Sequence, residues 1–205
     1  APRLKPLPID TDYLRRILLK LLATPSQAGY TARAVQLVCE ELEYVDTSLR
    51  VIMSVHMGLN SLTLLSWGND DQKERYLIPQ ALGEKIATFG LTEPGAGSDV
   101  KAIRTRAVKD GDYYVINGSK TFITNGPISD FVLLLCQSDI EAKPTYRGQS
   151  IIIFEKGTPG FGVTEIREKM GIKMSPTGEL SFDNVHVPAA QLVGKENRGF
   201  YQVLE

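Results

Sequence analysis

The spacing of apolar positions changes part-way along this chain, and the change divides the sequence before any single residue is considered. Up to about residue 85 apolar side chains recur every three or four positions, the repeat of a helix with one buried face. "DYLRRILLKLL" predicts a helix capped by Asp10 or Thr11 and ended by a turn around Pro25. Thr31 is placed to cap a second helix, with Ala34, Val38, Leu42 and Val45 as its buried stripe. Ser48 is placed to cap a third, which carries Leu49, Ile52, Met53, Leu59 and Leu62 and is stopped by Gly68. "NDDQKERYLIPQAL" predicts a short helix whose acidic start suits the helix dipole and whose end lies near Pro79.

After Gly83 the repeat shortens to about two residues. "IATFGLT", "AIRTRAVKD", "YYVINGSKTFITNG", "DFVLLLCQS", "QSIIIFEKG", "GVTEIREK" and "GELSFDNVHVP" are rich in β-branched and aromatic residues and are separated by Gly, Asn, Asp and Pro. Asp110–Gly111 and Asn117–Gly118 predict tight turns, because these residues accept positive φ cheaply. From about Asn197, "NRGFYQVLE" reads as the start of another helix. The expected fold is therefore α+β: an all-helical domain over residues 1–84, then a mostly antiparallel β-barrel or sandwich over 85–197. Residues 198–205 would open a further helical segment.

Composition narrows the function classes. A formal net charge of −1 over 205 residues argues against a nucleic-acid footprint or an acidic-lipid surface. No apolar run approaches the roughly 18 residues of a bilayer span, and "APRLKPLPID" lacks a signal-peptide core. The chain does not begin with Met, so residues upstream of Ala1 are expected. Cys39 and Cys136 lie in apolar stretches and are expected to be buried free thiols, which fits a reducing compartment. No group of Cys, His and carboxylates has metal-ligand spacing, and His56 and His186 are expected to be structural.

Two stretches offer chemistry. "FGLTEPGAGSDV" gathers three glycines, two of them between the hydroxyls of Thr92 and Ser98. It reads either as a surface loop or as a backbone that something approaches closely, with N–H and O–H donors for phosphate or the edge of a heterocycle. In "NGSKTFITNG", strand alternation puts Phe122 and Thr124 on one face. That pair reads either as a cover for a flat ring with a hydroxyl at its edge, or as a core Phe beside a solvent-facing Thr. "FDNVHVPAAQLVG" adds only a strand ending at Pro188.

In order and spacing, these stretches resemble the FAD-dependent acyl-CoA dehydrogenases. The resemblance runs through "VCEELEYVDTSLRVIMSVHMGL", "GNDDQKERYLIPQALGEKIATFGLTEPGAGSDV", "YVINGSKTFITNG", "GFGVTEIREKMGIKMS" and "LSFDNVHVPAAQLVG". It implies FAD as cofactor. The backbone at Phe89, Leu91 and Thr92 and the Thr92 hydroxyl would meet the pyrimidine side of the ring. Gly97 and Ser98 would face the pyrophosphate. Phe122 would cover one ring face, where other members carry Trp, and Ile123 and Thr124 would reach the N5 edge. Ser98 and Ser138 match positions that commonly contact the acyl-CoA.

The reaction so implied is α,β-desaturation of an acyl-CoA thioester: a glutamate takes the α-proton, hydride passes to the flavin, and electrons go on to an electron-transferring flavoprotein. The resemblance also implies a homodimer or homotetramer in a cytoplasmic or mitochondrial-matrix setting. The chain departs from the family pattern in three places. The C-terminal helical domain that carries the glutamate is absent from these residues, so no catalytic residue is assigned and the fragment alone is expected to be inactive. Only "ATPSQ" stands where a longer stretch usually precedes "AGYTARAVQLV". Lys173 and Pro176 stand where many members have a more polar, Arg-containing loop. Two other classes share the architecture: a non-catalytic subunit binding FAD or acyl thioester, and a flavin oxidase or hydroxylase such as a nitroalkane oxidase.

Overall fold

A computed structural model describes residues 31–204. The helix expected to be capped by Asp10 or Thr11 lies outside the described residues. The chain forms two compact units, residues 1–47 and 48–205.

In the first unit helix α1 spans Thr31–Val45, and the Asp46 N–H closes its end on Leu42 O at 2.9 Å. Its buried position is Leu37, while Val38 and Leu42 are half-buried and Val45 is exposed. The buried side is thus displaced from the predicted stripe at its C-terminal end. Cys39 is a free thiol, half-buried rather than buried as expected.

Helix α2, over residues 47–67, starts at Thr47, the last residue of the first unit, and places Ser48 in its first turn rather than at its cap. The middle of α2, Ser54–Ser61, is π-helical. There the Asn60 amide donates to Val55 O (2.8 Å) and the Ser61 hydroxyl to His56 O (3.2 Å), reaching back five residues. Each extra residue in a turn rotates the remainder of the helix by about 100°. The predicted apolar face is broken accordingly: Leu59 and Leu62 are 44% and 59% exposed, and Leu64 is fully buried instead. Gly68 ends the helix as predicted, in extended backbone, where a Cβ would come within 2.6 Å of Leu64 O.

Helix α3, over residues 70–81, starts on a reciprocal cap. Asn69 Oδ1 accepts from Gln72 N (2.8 Å) and Gln72 Oε1 accepts from Asn69 N (3.2 Å). Pro79 lies in its last turn, preceded by the π turn Lys73–Leu77. His56 is structural, as expected: Nδ1 accepts from Ala87 N (3.2 Å) and Nε2 donates to Gln80 O (3.1 Å).

Strands β1 (Ala87–Gly90), β2 (Arg106–Asp110), β3 (Tyr113–Thr124), β4 (Phe131–Gln137), β5 (Gln149–Glu155), β6 (Phe161–Glu165), β7 (Thr177–Pro188) and β8 (Leu192–Val193) form one sheet. Its order is β6-β7-β3-β2-β4-β5-β8, with β1 parallel to the first half of β4. The other pairs are antiparallel except the short β2–β4 contact. The sheet is open, with β6 and β8 at its ends, so the barrel alternative is not realised as a closed one.

β4 sits between two cores. Val132, Leu134 and Cys136 pack with Ile152, Phe154, Leu180 and Phe182, whereas Phe131, Leu133 and Leu135 pack with Leu64, Tyr76, Ile151 and Ile153. Each such side chain, fully buried, contributes about 1.5–3 kcal/mol. Burial on both faces is why "FVLLLCQ" shows no polar alternation. Cys136 is a buried free thiol, as predicted, and burial pushes its pKa up to about 12, so it stays protonated.

Gly111, with φ +58°, makes the predicted turn between β2 and β3. Asn117–Gly118 does not form a turn. It lies inside β3 as a bulge, where the φ of +143° at Gly118 is spent on a register shift against β7. A helix α4, Gly199–Leu204, begins where the sequence pattern placed one.

Candidate functional site

The Gly-rich segment leaves the end of β1 and is held onto β3. Thr121 N–H donates to Thr92 O at 2.9 Å, and Lys120 Nζ donates to Leu91 O, also at 2.9 Å. Glu93 and Ala96 bond each other's backbone in both directions, at 3.0 and 3.1 Å, which folds Pro94 and Gly95 into a tight loop. Under this loop the Glu93 carboxylate is fully used. Oε1 accepts from Lys120 Nζ (2.9 Å) and Thr105 N (2.9 Å), and Oε2 accepts from Arg104 N (2.7 Å).

The Glu93–Lys120 pair is 7% and 0% exposed. Burial alone would raise the Glu93 pKa, but the Lys120 ammonium and the Thr105 hydrogen bonds together hold it below the usual carboxylate value. Burial depresses the Lys120 pKa, and Glu93 works against that shift. Nothing in the residue pattern signals this pair, because a lysine in "NGSKTF" reads as solvent-facing.

Several donors that the chain leaves unbonded are informative. Among the described residues, the N–H groups of Thr92, Gly95, Gly97 and Ser98 make no hydrogen bond, nor do the hydroxyls of Thr92 and Ser98. Donors in one exposed loop can grip an anion or an acceptor-rich ring edge. A Cβ at Gly97 would meet nothing within 4 Å, and its φ lies outside the left-handed region. The space beside Gly97 is open, so its backbone is accessible to close approach. A cavity of about 320 Å³ flanks the loop, lined by Pro94, Gly95, Arg104, Gly118 and Ser119 among others.

Phe122 stands beside this loop. A second irregularity, between Lys120 and Ile123, shifts the register of β3 against β7 just where Thr121 bonds to Thr92. Phe122 takes φ +57° and is 69% exposed. A bulky residue with positive φ is strained, and one also exposed gains nothing from the core. The core-Phe reading is thereby removed. Ile123 packs in the core and Thr124 is half-buried. The Thr124 carbonyl accepts from the Thr88 hydroxyl (2.6 Å), while its own hydroxyl makes no bond among the described residues.

The remaining predicted positions divide. Phe89 is buried in the core, its backbone paired with Leu133, and Leu91 is half-buried above it. Ser138 lies past the far end of β4, in a network of its own. Its Oγ is 2.9 Å from Gly148 O, 2.5 Å from Ser150 Oγ and 2.8 Å from Asn197 Oδ1, and Asn197 N donates to Ser150 Oγ at 2.7 Å. The structure thus sets Leu91 and Thr92 against Lys120 and Thr121, next to Phe122, places Thr124 farther along β3 against Thr88, and engages Ser138 elsewhere. No group of three or more His, Cys, Asp or Glu among the described residues could hold a metal.

Two family descriptions match the chain, one after the other. The description "Acyl-CoA dehydrogenase, middle domain" matches residues 88–185, and "Acyl-CoA dehydrogenase, N-terminal domain" matches residues 24–84. The chain is 43% identical over 173 residues to a short-chain specific acyl-CoA dehydrogenase of Clostridium acetobutylicum, covering 84% of this chain and 45% of that protein. The crystal structure of acyl-CoA dehydrogenase from Geobacillus kaustophilus superposes with a TM-score of 0.80 at 43% identity, over 83% of this chain and 45% of the other. A chain from the study "Electron transferring flavoprotein of Acidaminococcus fermentans: Towards a mechanism of flavin-based electron bifurcation" gives 0.79 at 41% identity, over 82% and 44%. This chain therefore spans about half the length of the relatives it matches. Among the described residues, no helix is long and apolar enough to cross a membrane.

Proposed function

The chain belongs to the acyl-CoA dehydrogenase family, and from that premise we propose that residues 85–197 seat FAD for the α,β-desaturation of an acyl-CoA thioester. The observation that carries this reading is the row of unbonded donors from Thr92 to Ser98 beside an exposed, strained Phe122. The residues present fit the cofactor. Backbone N–H and hydroxyl donors suit a flavin edge and a pyrophosphate, the absent side chain at Gly97 permits close approach, and the Phe122 ring can cover a flat face.

FAD supplies the electron acceptor; the chain's own part is to bind, orient and exclude water. In this reading Thr92 and Leu91 hold the ring edge, Gly97 and Ser98 the pyrophosphate, and Ile123 and Thr124 the redox edge. We assign the α-proton to a glutamate outside these residues. Ser98 would face the thioester as well as the cofactor, and Ser138 would reach it only by exchanging a bond of its present network. The electrons would leave to an electron-transferring flavoprotein, and the full-length protein would assemble as a homodimer or homotetramer.

The test uses the full-length protein that carries this chain. Loaded with FAD and kept anaerobic, its visible flavin band should bleach on addition of acyl-CoA. Ser98→Ala should weaken FAD binding by about 1.5–3 kcal/mol, the worth of a hydrogen bond to a charged group. Phe122→Ala should raise flavin fluorescence and quicken the reaction of reduced flavin with oxygen. Unchanged FAD affinity in the first variant would place the pyrophosphate elsewhere, and unchanged fluorescence and oxygen reactivity in the second would leave Phe122 without a part in the seat.

A further inference from the structure

We propose that Lys120 is a positioning residue for the flavin seat: its buried ammonium, paired with Glu93, fixes the backbone on both sides of Thr92 so that the Thr92 donors stay free for the cofactor. This inference rests on the flavin reading above and adds to it the element that shapes the site.

The geometry is local and complete. From β3, Lys120 Nζ reaches Leu91 O and Glu93 Oε1, each at 2.9 Å. The next residue, Thr121, takes Thr92 O. Residues 91, 92 and 93 are thus each fastened by an acceptor oxygen to Lys120 or Thr121. Glu93 carries the hold further, to the backbone of Arg104 and Thr105. Lys120 also lies two residues before Phe122, so one side chain ties the donor edge of the seat to its ring-covering face.

Stability alone does not account for a charge in this place. Well-packed apolar residues in place of a buried ion pair are often neutral or stabilising, because both charges must be desolvated. Removing one partner is a different matter, since it leaves the other charge buried and uncompensated. Glu93 also needs two acceptor oxygens, one for Arg104 N and one for Thr105 N, which an amide cannot supply. Specifying the loop's conformation is the role left for the pair.

The test is the double variant Lys120→Met/Glu93→Gln of the full-length protein, which removes both charges at once. Three properties are read: melting of the FAD-free protein, FAD affinity by fluorescence titration, and the shape of the visible flavin band. The expected result is FAD binding weakened at least about tenfold (about 1.4 kcal/mol) and an altered band, together with lowered melting, because a glutamine in place of Glu93 cannot accept from both Arg104 N and Thr105 N. Wild-type affinity with a wild-type band overturns the proposal, whether or not melting has dropped, because the pair then serves the fold alone. A second measurement needs no variant. In the wild type, the amides of Arg104, Thr105 and Thr121 should exchange as slowly as those of β4; exchange at loop rates overturns the proposal even if the double variant does not refold. A wild-type protein that takes up no FAD removes the parent reading, and this inference with it, whereas loss of binding confined to the variant supports both.

Discussion

Gly97→Ala is expected to leave the FAD-free protein at least as stable as the wild type while weakening its hold on FAD. The two effects separate because they come from different partners. Within the chain a methyl group at 97 meets open space and an acceptable φ, so the usual gain of about 0.4–1 kcal/mol from a stiffer unfolded chain applies. Against a cofactor pressed onto the loop, the same methyl overpacks a close contact, at a cost of about 1–3 kcal/mol. Gly97→Val should go further and abolish retention of FAD through gel filtration. Thermal melting of the FAD-free variants and FAD titration of the same samples check both halves. An alanine variant with unchanged affinity would mean that nothing approaches the backbone at 97.

A far greater loss should follow from the want of a base. Residues 1–205, loaded with FAD, should bleach with acyl-CoA more slowly than the full-length protein by at least about 10²–10⁴-fold, the usual contribution of a positioned general base. Glu93, the carboxylate nearest the seat in sequence, has both oxygens occupied and a pKa held below the ordinary range by Lys120 and Thr105 against the opposing effect of burial. A carboxylate so engaged is poorly placed to take an α-proton. Asp99 spends Oδ1 on the N–H of Lys101 at 3.2 Å, at the exposed start of a short helical turn. Rapid-mixing absorbance of the two proteins side by side gives the ratio. Equal rates would place a base within these residues.

Much of the architecture was legible because periodicity records burial. The change from helical to strand repeat near residue 85 coincides with the start of β1, and the strand runs fall where the ladders form. Individual faces were less legible. The Leu59 and Leu62 face failed because the π turns rotate α2, and side chains that hydrogen-bond five residues back carry no apolar signature. Asn117–Gly118 misled because positive φ serves a bulge as readily as a turn, and only the neighbouring strand distinguishes them. In the site, Thr92, Gly97 and Ser98 could be singled out from local chemistry. Lys120 and Glu93 could not, since a buried ion pair between separate segments shows itself only once β3 lies against the loop. Strand alternation, which joined Phe122 to Thr124, is broken by a bulge at that point, and the exposure of Phe122 comes from its left-handed backbone rather than from a regular pleat.

In the proposed seat, the unbonded donors of the Gly-rich loop are the cofactor's partners. Hydrogen exchange of the full-length protein with and without FAD tests it residue by residue. FAD should slow the amides of Thr92, Gly97 and Ser98, which have no partner among the described residues, and leave Glu93 and Ala96, already bonded to each other, little changed. FAD-dependent protection that bypasses residues 92–98 and falls on other loops would contradict it.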